Sequence, residues 1–265
     1  MSAAVDARLG LILTELRLPT VKRLAQDLCA QSDREGWPAH RLLEALFEHE
    51  LNEREVRRIE RHRTESALSP DKRLSSFDFA AVPAVSKAQV MALGAGHEWL
   101  ERGANVLLFG PPGVGKSHLI SGLGHALVDA GRRVLFMRCS ELVQRLQTAR
   151  RDLRLAQELT KLDRFDLLIL DDLSYVRRDQ AETSVLFELI AERYERKSIA
   201  ITANTAFSQW GEVFVDAAMT VAAVDRLVHH STILEMNVQS YRRRAAHAAQ
   251  GPAKRARTAT TTPTP

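Results

Sequence analysis

Apolar residues recur three or four positions apart between Val5 and about Ser66. This spacing puts the apolar side chains on one face of each helix. Pro19 and the segment Gly36-Trp37-Pro38 interrupt the pattern, because proline and glycine end helices. The pattern predicts a small all-helical domain over residues 1–66, with apolar positions at Leu9, Leu13, Leu16, Leu24, Leu28, Leu42, Leu43, Leu46, Phe47 and Leu51.

A different pattern begins at about Gly94, where short apolar runs alternate with helical stretches. Such alternation favours a parallel sheet covered by helices on both faces, because parallel neighbours are joined by crossover helices. We therefore predict an α/β core with a parallel five-stranded sheet over residues 94–241. Its strands are expected at Asn105–Phe109, Arg133–Met137, Leu167–Asp171, Ile199–Ala203 and Thr232–Met236.

Two segments of different composition flank this core. Residues 67–93 contain Pro70, Pro83 and several serines, so we interpret them as a linker and the entry to the core. Residues 242–265 carry RRR and KRAR, then threonines and prolines with almost nothing to bury, which predicts a basic disordered tail. Its charge serves either contact with nucleic acid or solubility.

A cluster of arginines marks the end of the helical domain. On a helix, Arg54, Arg57, Arg58 and Arg61 share one face. Such a face is suited to lie along a phosphate backbone. The competing interpretation is a solvated helix in which these arginines pair with the neighbouring glutamates, and the sequence leaves both open.

Composition narrows the class of protein. The 265 residues are 45% hydrophobic, which is ordinary for a globular core and excludes a wholly disordered chain or a fibre. The net charge is +4. The chain has no apolar run approaching the roughly 18 residues that span a bilayer. Its first ten residues lack the apolar core of a signal peptide. The two cysteines, Cys29 and Cys139, do not have the spacing of metal ligands. We therefore expect a cytoplasmic protein without a membrane partner.

An octapeptide after the first predicted strand carries the strongest motif. It fits GxxxxGK[ST], which is a phosphate-binding loop when a strand precedes it and a helix follows. The glycines let backbone N–H groups turn inward around nucleotide phosphates, and the helix N-terminus adds its dipole. Lys116 is expected to reach the β and γ phosphates, and Ser117 to bind Mg²⁺. The octapeptide consists of Gly110, Pro111, Pro112, Gly113, Val114, Gly115, Lys116 and Ser117.

Polar residues end two other predicted strands. Asp171 and Asp172 follow an apolar run, and adjacent carboxylates there are costly unless a cation lies nearby. We expect Asp171 to hold Mg²⁺ through water and Asp172 to polarise the attacking water. Asn204 ends a third strand, and if that strand lies between the other two, its amide faces the γ phosphate. The alternatives are a solvated strand end for the aspartates and an ordinary turn for Asn204.

These residues and further motifs resemble the AAA+ ATPases, and within them the IstB-like transposition helper ATPases and the related DnaC helicase loader. The resemblance runs in consistent order from Phe77 to Arg242, and the helical N-terminal domain is also similar to that of IstB proteins. It is carried by FDF at 77–79, GPPGVGKSHL at 110–119, LLILDDL at 167–173, ITANTAFSQW at 201–210, DRLVHHSTI at 225–233 and SYR at 240–242.

The resemblance implies roles for three further residues. Asn204 would sense the nucleotide, Arg226 would be an arginine finger that reaches ATP bound by the neighbouring subunit, and Arg242 would contact nucleotide. A guanidinium stabilises the charge that spreads over a phosphoryl group during transfer. The alternative for Arg226 is an ion pair with Asp225 or another nearby acid. The expected catalytic set is Lys116, Asp172, Asn204 and Arg226.

The chain departs from the wider AAA+ pattern in two ways. Many AAA+ proteins have glutamate where this chain has Asp172, one methylene shorter, although IstB-like sequences resemble the Asp-Asp form. Too few structured residues follow Met236 to build the C-terminal helical lid of larger AAA+ proteins. The adenine would then be covered by other parts, including Phe77 and Phe79 of the FDF motif, with His118 beside the loop.

The histidine pair in DRLVHHSTI invites a metal-site interpretation. His229 and His230 are adjacent, but the sequence offers no third ligand at a suitable spacing. We therefore expect a structural role or a contact with phosphate for both.

The resemblance implies a DNA-binding ATPase that assists an IstA-like transposase of an insertion sequence. With ATP and Mg²⁺ it is expected to assemble as a homo-oligomer on duplex DNA, largely without sequence preference, and to leave after hydrolysis. A DnaC-like replicative helicase loader is the alternative. A small-molecule P-loop kinase would need an arginine-bearing lid, which is not evident in the sequence, and a scaffold that binds ATP without hydrolysis is the remaining alternative.

Overall fold

A computed structural model describes residues 3–96, 98–173, 180–205, 217–238 and 240. The chain forms two compact units, Met1–Arg61 and His62–Pro265. Trp210, Arg242 and the predicted basic tail lie outside the described residues. Within those residues, the helices are all too short or too polar to cross a membrane.

Three helices account for the first unit, and the last of them continues past its boundary. They are α1 (Ala3–Glu15), α2 (Pro19–Glu35) and α3 (Ala39–Glu65). Their buried contacts centre on Leu13, Val21 and Leu46. The predicted breaks fall between the helices, and Gly36 ends α2 in the left-handed conformation (φ 64°) that favours glycine. The all-helical character predicted for this region is confirmed.

Glu50 of α3 caps the N-terminus of α2. Its carboxylate accepts hydrogen bonds from the backbone N–H groups of Thr20 (2.8 Å) and Val21 (3.1 Å), and from Nε of Arg54 (2.8 Å). Burial alone would raise the pKa of Glu50, but the hydrogen bonds from Arg54 and the two amides outweigh it and hold that pKa below its ordinary value. The first turn of α2 thus obtains its cap from a neighbouring helix.

The arginine face of α3 is used for ion pairs along the helix. Three of its four guanidinium groups bind glutamates three or four residues away, which is the normal reach along a helix surface. The structure thus shows the internally paired helix, and contact of this half-exposed face with a phosphate backbone stays a prediction. The pairs are Arg54 with Glu50, Arg57 with Glu53 and Arg58 with Glu55.

Five parallel strands form the sheet of the second unit, in the order β2-β3-β4-β1-β5. This confirms the predicted sheet, and β4 lies between β1 and β3 as the placement of Asn204 requires. The predicted bounds are displaced by one residue in β2 and β5, and β4 begins one residue earlier. The strands are β1 (Asn105–Phe109), β2 (Val134–Arg138), β3 (Leu167–Asp171), β4 (Ser198–Ala203) and β5 (Ser231–Glu235).

Helices cover both faces of this sheet. Successive residues of β1 show the division, because Leu107 packs on one face while Val106 and Leu108 pack on the other. One face carries α4 (Lys87–Ala95), α5 (Glu98–Glu101) and α6 (Lys116–Asp129). The other carries α7 (Cys139–Arg151), α8 (Leu155–Leu162), α9 (Gln180–Arg193) and α10 (Ala217–Val228).

The segment predicted as a linker is instead packed on the core. Two 3₁₀ turns, Leu74–Ser76 and Phe79–Ala81, lead to α4, and Val82 and Val85 are buried. A Cβ at Gly122 of α6 would meet the backbone nitrogen of Leu74 at 2.8 Å, so the segment lies directly against that helix. The prolines and serines serve tight turns here, which is why composition suggested a linker.

Candidate functional site

A cleft of about 700 Å³ lies where β1, β3 and β4 end. It is lined by the 112–118 loop, by residues of the 72–82 segment, and by the polar side chains that follow the three strands. Parallel strands place their carboxyl ends at one edge of a sheet, and ligands of open α/β sheets bind at this edge. The fold therefore gathers the sequence-predicted residues of three separate motifs into one cleft.

The loop of the octapeptide depends on its glycines. Gly110, Gly113 and Gly115 have φ values of 151°, 82° and 105°, which side-chain-bearing residues rarely adopt. A Cβ at Gly110 would also meet the carbonyl oxygen of Met236 at 2.5 Å. Gly115 immediately precedes α6, so the first N–H groups of that helix and its dipole are directed at the cleft.

Lys116 is buried at the base of this loop. Its Nζ donates to the carbonyl oxygens of Gly110 (2.6 Å) and Pro111 (2.9 Å) and to Oδ1 of Asn204 (2.8 Å). Gly110 and Pro111 thus contribute backbone oxygens to Lys116, while Pro112, Gly113 and Val114 line the cleft itself. The bond to Asn204 joins the loop to the end of β4.

Asp171 accepts hydrogen bonds from two hydroxyl groups. Ser117 Oγ lies 2.8 and 2.9 Å from its two carboxylate oxygens, and Thr202 Oγ1 lies 2.6 Å from Oδ1. Sequence reasoning missed Thr202, although it lies two residues before Asn204 on the same strand face, and that alternation was readable. An all-oxygen group of carboxylate and hydroxyl is the set that Mg²⁺ prefers.

Asp172 has an uncommon backbone conformation, with φ 65°. Its N–H donates to Thr202 Oγ1 (2.9 Å), and its Oδ1 accepts from Asn204 Nδ2 (3.1 Å). Partial burial, and next the neighbouring charge of Asp171, raise the pKa of Asp172, while Lys116 lowers it by less. Asn204 therefore bridges Lys116 and Asp172, the two groups whose charges differ in sign.

Only one phenylalanine of the FDF motif reaches the cleft. Among the described lining residues Phe77 is present and Phe79 is not. Phe79 packs edge-on against Phe77, with ring centroids 4.8 Å apart, so it supports the Phe77 ring, and its own contact with adenine stays a prediction. A Cβ at Gly115 would meet Phe77 Cε2 at 3.1 Å, which places the Phe77 ring against the loop.

His118 joins the loop helix to the preceding segment. Its Nε2 lies 3.0 Å from the carbonyl oxygen of Arg73 and 3.1 Å from Oγ of Ser76, and its ring meets Phe77 edge-on. Although His118 lines the cleft, its Nε2 faces the 73–76 segment and not the cleft. Arg138 at the end of β2 also lines the cleft and was missed, although a basic residue after an apolar strand was a readable signal.

Arg226 lies on α10 and does not line the described part of its own cleft. Its guanidinium donates to the carbonyl oxygen of Ala222 (2.9 Å) and lies 5.2 and 6.0 Å from the ring centroids of Phe187 and Tyr194. The alternative ion pair with Asp225 is not found within the part of the chain that the structure describes.

The cleft fits a nucleotide with Mg²⁺. A loop of inward N–H groups and a buried lysine suit phosphates, the oxygen ligands of Ser117 and Asp171 suit the ion, and the Phe77 ring offers an apolar surface. This loop and these paired acids, on a sheet of this strand order, define a P-loop NTPase of the AAA+ type.

Solved structures share this fold. AMPPCP-bound DnaA from Aquifex aeolicus is 18% identical with a TM-score of 0.51, and the match covers 70% of this chain and 55% of that one. Domain III of the replication initiation protein DnaA from Thermotoga maritima is 20% identical with a TM-score of 0.52, over 70% of this chain and 75% of that one.

Sequence comparison identifies the family. The model described as IstB-like ATP binding protein matches residues 12–249. A protein of Sinorhizobium fredii (strain NBRC 101917 / NGR234), named as an insertion sequence ATP-binding protein, is 65% identical over 241 residues, which are 91% of this chain and 81% of that protein. The chain therefore belongs to the IstB-like ATP-binding protein family, as its motifs suggested.

Proposed function

We propose that this protein hydrolyses ATP with Mg²⁺ and uses the ATP cycle to assemble on duplex DNA and assist a transposase in the cytoplasm. The hydrolysis proposal rests on the hydrogen bonds at the strand ends. Asn204 joins Lys116 to Asp172, and Ser117 binds the neighbouring Asp171. Membership of an ATP-binding family supports the nucleotide, and the insertion sequence in the relative's name supports the DNA context.

Each group of the cleft has a distinct role in this proposal. Lys116 binds the β and γ phosphates, and Ser117 and Asp171 hold Mg²⁺, which neutralises charge on the phosphates when bound. Asp172 orients the attacking water and takes up its proton, and its raised pKa makes it a stronger proton acceptor than an ordinary aspartate. Asn204 keeps Lys116 and Asp172 in register through its two hydrogen bonds.

Arg226 completes the site of a neighbouring subunit in this proposal. Its position outside its own cleft is compatible with a finger that acts in trans, and the rings of Phe187 and Tyr194 support the guanidinium. Hydrolysis then depends on assembly, because the charge on the transferred phosphoryl group is fully stabilised only between two subunits. Loss of the γ phosphate weakens this bridge and favours release. Arg242 is proposed as a further nucleotide contact.

Contact with DNA is assigned to basic residues other than the paired arginines of α3. Those guanidinium groups already bind glutamates, whereas RRR and KRAR in residues 242–257 have few acids beside them in sequence. Binding through such groups is directed at phosphates, so it should be largely independent of sequence and steeply dependent on salt.

The ATPase proposal is tested by steady-state hydrolysis with and without duplex DNA. Asp172→Asn should lower kcat by about 100-fold or more while ATP binding persists, because it removes the base and keeps the shape. Lys116→Ala should weaken ATP binding itself. Asp152→Asn, an exposed aspartate at the end of α7, is the matched control and should hydrolyse ATP normally. Unchanged turnover in Asp172→Asn would refute its assigned role.

The assembly and partner proposals need a second experiment. Fluorescence anisotropy of a labelled duplex, with and without a non-hydrolysable ATP analogue, should show tighter binding with the analogue and a steep loss of affinity with salt. Truncation after Arg242, which keeps the proposed nucleotide contact and removes the rest of the basic tail, should flatten that salt dependence. Binding that is indifferent to the analogue contradicts the switch. Co-purification tests the partner. If a replicative helicase co-purifies with this protein, and the transposase encoded by the same element does not, the protein is a helicase loader.

A further inference from the structure

Three side chains converge at the edge of the sheet opposite the nucleotide cleft, where β1, β4 and β5 begin. Oε1 of Glu195 lies 3.8 Å from Nδ1 of His229 and 3.7 Å from Nε2 of His230. One possible ligand atom from each of the three side chains lies within 4.8 Å of the other two. The sequence contained the adjacent histidines without a third ligand, and the fold supplies it from the turn that follows α9.

We propose that Glu195, His229 and His230 form a binding site for a divalent transition-metal ion of the zinc class. Zinc binds histidine nitrogen and carboxylate oxygen at about 2.0–2.2 Å in tetrahedral geometry, so its ligand atoms are about 3.3 Å apart. The two separations from Glu195 need to shorten by about 0.5 Å to reach this arrangement, and the histidine nitrogens, which lie within 4.8 Å of each other, by up to about 1.5 Å through rotation of their exposed side chains. Three protein ligands leave the fourth position to water.

The chemistry of the three ligands selects the class of ion. Imidazole nitrogen suits zinc, copper, nickel and cobalt, whereas magnesium and calcium prefer oxygen alone. The three side chains are about half exposed, so an ion reaches them from solvent and their rotamers can adjust.

The backbone that carries these ligands is held by the sheet. The carbonyl oxygen of His230 accepts a hydrogen bond from the N–H of Asn105 (2.8 Å), where β1 begins. The Asn105 side chain binds the carbonyl oxygen of Leu227 (3.1 Å) and the N–H of Ile199 (2.9 Å). A Cβ at Gly103 would meet the carbonyl carbon of Glu195 at 2.7 Å, so the two turns approach closely. The ligand-bearing segments are therefore fixed on rigid elements, as a metal site requires.

Tyr194 competes with the metal for one ligand. Its hydroxyl group lies 2.8 Å from Nδ1 of His229, the atom that faces Glu195. An ion that binds this nitrogen must displace the hydroxyl hydrogen bond. Removing the hydroxyl should therefore strengthen metal binding, which distinguishes a metal site from a histidine cluster that merely pairs with a carboxylate.

The test uses the tag-free protein with excess Mg²⁺, which occupies the proposed magnesium site of the nucleotide cleft. Binding of Co²⁺ is measured by visible absorption, and Zn²⁺ is then added to displace the bound Co²⁺. One Co²⁺ per chain should bind with the d–d bands of a tetrahedral site. Glu195→Gln and His230→Ala should each weaken Zn²⁺ binding by at least about tenfold. The variant His40→Ala, which replaces an exposed histidine of the first unit, should bind metal as the unsubstituted protein does, and Tyr194→Phe should bind it more tightly.

Unfolding of the metal-free variants provides the control for folding. The substituted side chains are exposed, so the melting temperatures of Glu195→Gln and His230→Ala without metal should match that of the unsubstituted protein. Co²⁺ binding that is absent, or that persists unchanged in both variants, overturns the proposal. Weaker binding in both ligand variants together with tighter binding in Tyr194→Phe supports it, and weaker binding in Tyr194→Phe contradicts it. None of these readouts involves ATP, so the result is independent of the proposed ATPase.

Discussion

Arg193, the last residue of α9, is a buried cation on which the second unit depends. Its side chain is 1% exposed, and its terminal nitrogens donate to the carbonyl oxygens of Leu162 (3.1 Å), Phe165 (2.9 Å) and Ser198 (2.9 Å). Burial lowers the pKa of Arg193 to about 10, partly offset by Asp163, so the group is still charged at neutral pH. The guanidinium thereby ties α9 to α8 and to the starts of β3 and β4.

The cost of removing this group follows from what remains behind. Arg193→Met keeps most of the apolar volume but takes the donor from three buried carbonyl groups. Deleting one partner of a buried charged network costs about 3–5 kcal/mol. We expect about 4 kcal/mol here, which corresponds to a fall in melting temperature of about 8–16 °C for a domain of this size.

Calorimetry and urea unfolding measure this loss, and Arg196→Met is the matched control. Arg196 is exposed and forms ion pairs with Glu192 and Asp163, so its replacement should cost less than about 1 kcal/mol. If Arg193→Met is no less stable than Arg196→Met, the carbonyl groups are satisfied in another way and the assigned role is wrong.

Three further substitutions test the cap, the strand-end network and the paired acids. Glu50→Gln should destabilise the first unit by about 1–2 kcal/mol at pH 7. Because the folded-state pKa of Glu50 is lowered, its contribution to stability is present above the unfolded-state pKa and disappears as the pH falls through the folded-state pKa. In acid, hydrogen exchange in α2 of the variant should therefore approach that of the unsubstituted protein. Thr202→Val should cost about 2 kcal/mol in urea unfolding and raise the Mg²⁺ concentration needed for activity, because Asp171 and the Asp172 N–H each lose a partner. Thr160→Val, at an exposed threonine of α8, should change neither. Asp172→Asn should raise the melting temperature slightly at neutral pH without Mg²⁺. The raised folded-state pKa means that the ionised carboxylate opposes folding above that pKa, so the gain should vanish in acid. A lower melting temperature of the variant at pH 7 would contradict this.

The sheet and the loop were predictable because local patterns determine them. Buried strands such as β3 are continuous apolar runs, and the octapeptide needs glycine at positions of positive φ, so both are visible in the sequence. The strand bounds were displaced by one residue because pairing decides where a strand begins. Ser198 belongs to β4 because it pairs with Leu167 of β3. Ser231 belongs to β5 because it pairs with Asn105 of β1.

Side-chain partners were less predictable, because they depend on packing between distant segments. The arginines of α3 have the same spacing whether they bind DNA or glutamate, and the structure alone shows the ion pairs. Phe79 differs from Phe77 only in the direction that a 3₁₀ turn gives it. Such outcomes depend on rotamers and on the neighbours present in the fold, which a periodic pattern does not specify.

Tyr194 shows how one side chain connects features that the sequence presents separately. Its ring stacks beside His229 and lies 6.0 Å from the guanidinium of Arg226, while Arg226 and His229 are three residues apart at the end of α10. A change in the hydrogen bond of His229 therefore acts on the same ring that supports Arg226. The proposed finger and the proposed metal site therefore both lie beside the Tyr194 ring, so a displacement of that ring changes the surroundings of Arg226 and of His229 together.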